Sequence, residues 1–457
     1  LEHDLPDILR DAASRLPPDE TPLDLAARRR HLDALARELR ASAEDFAAAI
    51  DADFGGRPRV ETMLAEIAMV LENIRWTRRR LKRWTRAKRV VLPLEFLPSR
   101  ARVERVPLGL VGILAPWNYP VQLALVPLVA ALAGGNRVIL HPSEHVPRTA
   151  ELLAEVVHRA VGARVRVVTG GTKVAAALAR MPLDGLFYTG STQTGRKVLA
   201  AAAENLTPTI LELGGKSPAI ALPESDPDRV AVSIMAGKLL NAGQTCVAPD
   251  YLMVPRAEIP RYVLALKDAA TTLYPDPESP DYAAIARPAD RDRLEALLDA
   301  VEAVPLMAQM PDPPRLGAWA VVDPDPESPL MQEEIFGPIL PILPYDTPEA
   351  AAGFVNARPT PLALYVYGED EAACDRMVGR IRSGGAMVNE SVLHVAVHSL
   401  PFGGAGASGM GAYHGEEGFR SFTRPRSVVI RSRFAPIGLA RPPYGPAIQR
   451  IIRFLLR

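Results

Sequence analysis

Cysteine is nearly absent: two in 457 residues, which excludes a disulfide framework and makes a reducing, cytoplasmic setting the expectation. Charge of one sign is missing as well. Lysine plus arginine equals aspartate plus glutamate at 53 each, so no overall field argues for nucleic acid or an acidic partner. No apolar run reaches the roughly 18 residues that a membrane span needs, and the nearest, 121–133, is broken by Pro127 and stops at Gly134-Gly135. That stretch reads as a buried helix. Charges begin at Glu2 and Asp4 with no basic region leading into an apolar core, so no secretory signal is expected. No internal repeat appears beyond an alternation of strands and helices, and no metal is called for.

What is present is a composition of 48% hydrophobic and 23% charged residues, enough for two or three domains with cores of their own. From 24 to 86 the chain reads as helical, with Leu25, Leu32, Leu35 and Leu39 at helical steps and a second helix over 60–81. The basic cluster Arg78, Arg79, Arg80, Lys82, Arg83, Arg86, Lys88 and Arg89 reads as a solvated face near a subunit contact. Residues 90–106, with Pro93 and Pro98, read as extended pieces projecting from the body. From Val106 short apolar strands at 110–115, 137–140, 165–169, 185–189 and 209–213 alternate with helices such as 147–161 and 172–181. Such alternation implies right-handed crossovers and a parallel, doubly wound α/β sheet, with ligands at the carboxyl ends of its strands. A second α/β unit follows over 214–400, with strands such as 251–254, 363–367 and 386–389 and with its proline-rich runs 310–314 and 323–329 reading as loops.

Six segments are candidates for chemistry. Cys246 lies on a glycine-containing turn, Asn-Ala-Gly-Gln-Thr-Cys246-Val-Ala-Pro, after an apolar helix. A thiol in such a turn becomes a nucleophile when a dipole or cation lowers its pKa. An isolated cysteine is otherwise a small buried hydrophobe, as Cys374 in its plain helix reads. Tyr188-Thr-Gly190-Ser191-Thr192-Gln-Thr-Gly195 ends a strand and opens a helix expected over 196–205, where free N–H groups suit a pyrophosphate. It is not the Gly-x-Gly-x-x-Gly fingerprint. Glu212 in Thr-Ile-Leu-Glu212-Leu-Gly-Gly-Lys-Ser-Pro is a carboxylate inside an apolar strand, where burial raises the pKa toward that of a useful general base. A strand-end carboxylate capping backbone is the alternative. Asn118 sits in a rigid Pro-Trp117-Asn118-Tyr119-Pro turn, as an oxyanion donor or merely a turn residue. Glu333-Glu334-Ile-Phe336-Gly-Pro is an acidic pair running into a turn, and Pro401-Phe-Gly-Gly404 begins a glycine-rich loop that either shapes a substrate mouth or is only a conformationally demanding turn.

In this order the six motifs resemble the aldehyde dehydrogenase family along about residues 20–425. The closer likeness, carried by Asn241-Ala-Gly-Gln-Thr-Cys-Val-Ala-Pro-Asp-Tyr251 and Gly409-Met-Gly-Ala-Tyr-His414-Gly, is to its class 3 branch of coniferyl, benzaldehyde and fatty aldehyde enzymes. The resemblance implies an aldehyde dehydrogenase-like fold. A cofactor-binding domain would span 1–89 and 107–213 and a catalytic domain 214–400. Residues 90–106 and 401–457 would bridge subunits of a homodimer.

It implies further that Cys246 attacks an aldehyde carbonyl, that Asn118 and the Cys246 N–H hold the oxyanion, and that Glu212 activates the water that hydrolyses the thioester. NAD, with NADP possible, would be held by Trp117, Gly190, Ser191, Thr192, Gly195, Leu213, Glu334 and Phe336, and Tyr119 would face the substrate. The chain departs from the family where Lys-Pro-Ser-Glu becomes His141-Pro-Ser-Glu144. The usual lysine bonds the adenosine ribose, so a shorter and mostly neutral histidine implies weaker or pH-dependent cofactor binding. Glu144 matches the acid that accepts the ribose hydroxyls, which favours NAD. A second departure is the tight link 158–164, away from the thiol.

Aromatic aldehydes are the first expectation and medium- or long-chain aliphatic ones the second. A CoA-acylating enzyme would lack the Glu212 base. An esterase would need neither the 190–195 turn nor Glu334, and a structural protein would need none of these together. The tail 442–457 is expected to form a short helix that packs on the partner subunit, with a membrane surface as the alternative.

Overall fold

The computed structural model describes residues 6–17, 23–435, 437 and 441–456. Residues 1–5 and 18–22 of the expected cofactor domain, and 436, 438–440 and Arg457 of the tail, lie outside the described residues. Three sheets organise the chain. The first has six strands in the order Gly409–Met410, Thr209–Leu213, Gly185–Gly190, Leu110–Leu114, Arg137–His141 and Val165–Val167. The last five are parallel, and the chain leaves the Leu110–Leu114 strand toward one edge and later returns on its other side. The crevice between the ends of Leu114 and Gly190 is therefore the switch point where α/β sheets bind ligands. The second sheet has seven strands, Val304–Pro305, Trp319–Val322, Ile339–Tyr345, Tyr251–Pro255, Pro218–Ala221, Ala363–Tyr367 and Gly385–Val388, parallel except for the first.

The third sheet is a separate antiparallel ribbon of Lys88–Val90, Arg100–Pro107 and Thr423–Ile430. It leaves Val90, Val91, Leu94, Leu97, Val429 and Ile430 exposed. The helix Gln122–Gly134 is buried along its whole length, with Pro127 inside it, as an all-apolar helix must be.

Four local details differ from the sequence reading. The helix expected over 60–81 is interrupted by a π-helical turn, Thr62–Ala68, before it resumes as Met69–Trp84. The extra residue per turn aims Glu66 at the start of the Gln122–Gly134 helix, where one oxygen accepts from the N–H groups of Val121 (2.6 Å) and Gln122 (3.1 Å). The helix expected to start at Arg196 starts at Thr192, because Ser191 caps it by accepting from the Thr194 N–H. The Gly409–Met410 pair, within the expected bridging segment, instead adds an antiparallel edge to the first sheet, Gly409 opposite Glu212. The strand expected over 386–389 ends at Val388, and Asn389 takes a left-handed conformation at φ 59°.

The basic cluster is a solvated face: Arg78 pairs with Asp33, Arg83 with Glu416, and Arg80 lies on the Trp76 ring. The tail helix Pro446–Leu455 exposes Ile451, Ile452 and Phe454. No helix among the described residues is long and apolar enough to cross a membrane.

Candidate active site

A cavity of about 800 Å³ opens where the carboxyl ends of the first sheet meet the segments around Cys246 and Glu334. Of the residues singled out in the sequence, it brings together Trp117, Asn118, Gly190, Ser191, Thr192, Glu212, Leu213, Cys246, Glu334 and Phe336. Its wall includes the Cys246 thiol, the buried Glu212 carboxyl, the half-buried Glu334 carboxyl and the Asn118 amide.

The thiol is aimed by a bend that few sequences tolerate. Asn241 and Ala242 are left-handed at φ 52° and 49°, and Gly243 follows at 77°. Each non-glycine residue there costs about 1–3 kcal/mol, so the surroundings must hold it. They do so with amides. Gln244 donates to the carbonyls of Asn241 and Ala284, both at 2.9 Å, and accepts from Ala286 N at 3.0 Å. Asn241 donates to the Asn118 and Gln244 carbonyls at 3.1 and 3.2 Å. The Asn118 amide donates to the Gln244 carbonyl at 3.0 Å, which fixes its plane and leaves a second N–H to give.

Cys246 itself is partly exposed to the cavity. Its thiol is pushed up to about 12, first by burial and then by the facing carboxyls of Glu334 and Glu212, against the N–H groups of Cys246 and Val247. The turn thus holds a neutral thiol at rest, not the lowered pKa that the motif alone suggests. Burial is the larger cause, so ionisation is favoured by whatever hydrates the thiol or brings positive charge to it.

Glu212 sits on the Thr209–Leu213 strand, buried, with both oxygens free of hydrogen-bond partners. Burial alone raises it well above the ordinary carboxyl range. Glu334 is raised to about 8, by burial and then by Asp250, against the Gly215 N–H, Lys216 and Arg293. A Cβ at Gly214 would meet the Glu334 carboxylate, so this glycine lets that acid lie against the backbone. Beside it, Lys216 pairs with Asp250 and donates to the carbonyls of Leu330 (2.8 Å) and Glu333 (2.9 Å). Phe336, also left-handed at φ 51°, meets the edge of Trp117 with ring centroids 5.7 Å apart. Arg287 lies 5.5 Å from the Trp117 ring centroid.

On the opposite wall, the first turn of the Thr192–Ala203 helix presents its N-terminus, and Thr192 Oγ1 is tied to the Ala407 carbonyl at 3.0 Å. A helix start on the cavity wall fits the phosphates of a dinucleotide. Gly195 contributes in another way, since a Cβ there would come within 2.6 Å of Leu213. Its absence seats the helix on the sheet.

Four expected residues lie outside the cavity lining, Gly195 among them. Tyr119 is buried, its hydroxyl 2.8 Å from Thr245 Oγ1, so it braces the cysteine turn instead of facing a substrate. His141 ends its strand buried, with Nε2 unpartnered, and burial lowers its pKa against the pull of Glu144. Glu144 is exposed. Sequence reasoning also missed Gln244, Arg57 and Glu61 as supports. Gln244 was visible inside the cysteine motif, but nothing local to Arg57 pointed to the site.

The aldehyde dehydrogenase family model matches residues 3–428. The chain is similar to the probable coniferyl aldehyde dehydrogenase of Pseudomonas aeruginosa, 43% identical over 411 residues, covering 88% of this chain and 86% of that one. Its fold is similar to the substrate-bound Staphylococcus aureus AldH structure, with TM-score 0.93, 35% identity, and coverage of 98% of this chain and 100% of that one. It is also similar to Mycobacterium tuberculosis aldehyde dehydrogenase complexed with NAD+, with TM-score 0.84, 28% identity, and coverage of 94% and 91%.

Proposed function

Because the chain belongs to the aldehyde dehydrogenase family, we propose that it oxidises an aromatic aldehyde to the carboxylic acid through a thioester on Cys246. It is an NAD(P)-dependent aldehyde dehydrogenase of the class 3 side. The observation that carries the mechanistic reading is the convergence of Cys246, Glu212 and Asn118 on one cavity whose far wall is a helix N-terminus.

Cys246 gives up its thiol proton to solvent as Sγ attacks the carbonyl carbon, the oxyanion accepts from the Asn118 amide and the Cys246 N–H, and its collapse to the thioester carbonyl releases the carbon's hydrogen as hydride. Two easier steps replace one hard one. The bound nicotinamide supplies the hydride acceptor. Glu212 then takes a proton from water as the oxygen attacks the thioester, the acid departs, and the thiol is restored. The Gly190–Thr192 turn with Leu213 and Gly195 behind it would hold the pyrophosphate, Glu334 the nicotinamide ribose, and Phe336 and Trp117 the ring's surroundings. NAD is the preferred cofactor in this reading, from the carboxylate at Glu144.

The coniferyl name of the relative and the aromatic wall of Trp117, Phe336, Phe402 and Tyr413 support an aromatic substrate. The test is nicotinamide reduction with NAD and NADP separately, against benzaldehyde, coniferaldehyde and aliphatic aldehydes. Turnover confined to aliphatic aldehydes would reject the aromatic assignment.

Two expectations accompany it. His141→Lys should tighten NAD binding by about three- to tenfold, since a charged donor bonds a ribose hydroxyl better than a neutral imidazole. Burial keeps His141 neutral, so wild-type NAD affinity should be flat across the neutral range. Fluorescence titration of both proteins decides this, and equal affinities would count against it. The exposed apolar residues at the ribbon, Val91, Leu94, Val429 and Ile430, support a homodimer, and the two free cysteines fit a reducing, cytoplasmic setting. Sedimentation at twice the 49.4 kDa chain mass is expected, and a monomer at micromolar concentration would oppose it.

A further inference from the structure

We propose that Arg57 is a positioning residue, which holds the amide of Asn118 and the Cys246 turn in register from outside the cavity. The proposal rests on the functional reading above. Arg57 follows Gly55-Gly56, far in sequence from either residue, and its backbone N–H is anchored on Asp51 at 2.8 Å. Its side chain is fully buried. Nη1 donates to the Asn118 carbonyl at 3.1 Å, and Nε lies 3.2 Å from the Glu61 carboxylate. The guanidinium also lies over Tyr119, 4.7 Å from the ring centroid, and that tyrosine's hydroxyl meets Thr245, the neighbour of Cys246.

Glu61 closes the frame from the other side. Its two oxygens receive the Asn241 N–H at 3.1 and 3.3 Å, at the first residue of the left-handed bend. The Asn241 side chain returns to the same Asn118 carbonyl that Arg57 holds. One buried ion pair therefore touches both strands of the oxyanion arrangement: the peptide that carries the donor amide, and the strained turn that carries the thiol. A strained backbone persists only where its surroundings over-determine it, and an arginine's planar fork is suited to bond one group while pairing with another. Arg57 is absent from the cavity lining, so it acts through Asn118, Tyr119 and Glu61, never on a substrate atom.

The test compares Arg57→Met with Arg57→Lys. Four quantities are read: kcat, KM, NAD affinity, and the rate at which iodoacetamide alkylates Cys246. Misplacing a reacting group by about 1 Å costs on the order of 100-fold, so Arg57→Met should lose about that in kcat with KM and NAD affinity within about twofold. Alkylation should slow about fivefold as the thiol loses its aim, and Arg57→Lys, which keeps one charged donor, should recover kcat to within about tenfold of wild type. If Arg57→Met does not fold, Glu61→Gln keeps an acceptor for the Asn241 N–H but removes the ion pair, and a loss of about tenfold in kcat is expected.

The proposal is overturned if kcat stays within about threefold in these variants, or if the loss falls on KM. It is equally overturned if lysine serves no better than methionine. A wild-type chain that reduces no nicotinamide with any aldehyde would defeat the functional reading instead. The alkylation rates would still decide whether Arg57 sets the position of Cys246.

Discussion

Replacing Cys246 by alanine should abolish nicotinamide reduction, with a loss of roughly 10⁴-fold or more in kcat, as removal of a covalent nucleophile does elsewhere. No other thiol lines the cavity, since Cys374 is buried in the Glu371–Arg380 helix, away from it. The fold and cofactor affinity should survive. The bend that precedes Cys246 is held by Gln244, Asn241 and Asn118 rather than by the sulfur, and the substitution removes a single atom from a partly exposed position. Steady-state assays beside a calorimetric NAD titration separate the two effects. Activity within tenfold of wild type would remove Cys246 from the chemistry, and lost NAD binding would make it a structural residue.

Glu212→Gln should uncouple the two halves of the reaction. With the carboxylate gone, the first turnover still reduces one equivalent of nicotinamide per active site. Hydrolysis of the thioester should then slow by about 10²–10³-fold, within the range of a lost general base. The trace becomes a burst and a slow phase. Burial raises Glu212 and no hydrogen bond offsets it, so at lower pH the residue is protonated and cannot take the water's proton. The wild-type rate should therefore climb as pH rises through that raised pKa, and Glu212→Gln should lack this limb.

Stability carries the matching sign. A carboxyl whose folded pKa lies above its unfolded one costs the folded state stability as pH rises from the unfolded value through the folded one, and the glutamine removes that cost. Stopped-flow absorbance with pH-dependent denaturation measures both. A Glu212→Gln trace with neither burst nor reduced steady rate would refute the assignment.

The α/β alternation and the strand at 209–213 were legible because apolar β-branched runs and helical spacing are local signals. So was the convergence of Cys246, Glu212 and Asn118, through motifs whose order matched a family pattern. What stayed hidden depends on contacts distant in sequence. The raised pKa of Cys246 comes from Glu334 and Glu212, which approach only in the fold. Tyr119 turned to Thr245, across more than a hundred residues, instead of toward the cavity. The start of the 192–203 helix was misjudged because Ser191 is both a turn residue and a cap. The π-turn at 62–68 goes with the long-range contact of Glu66 on the 122–134 helix, which no local pattern records.

The central claim, a covalent acyl-enzyme on Cys246 cleared by Glu212, is tested most directly by intact-mass and peptide mapping of Glu212→Gln mixed with benzaldehyde and NAD. One benzoyl group on the peptide carrying Cys246, absent without NAD and absent when Cys246 is also alanine, is the result predicted here. Nicotinamide reduced with no adduct, or an adduct on any other side chain, would contradict it.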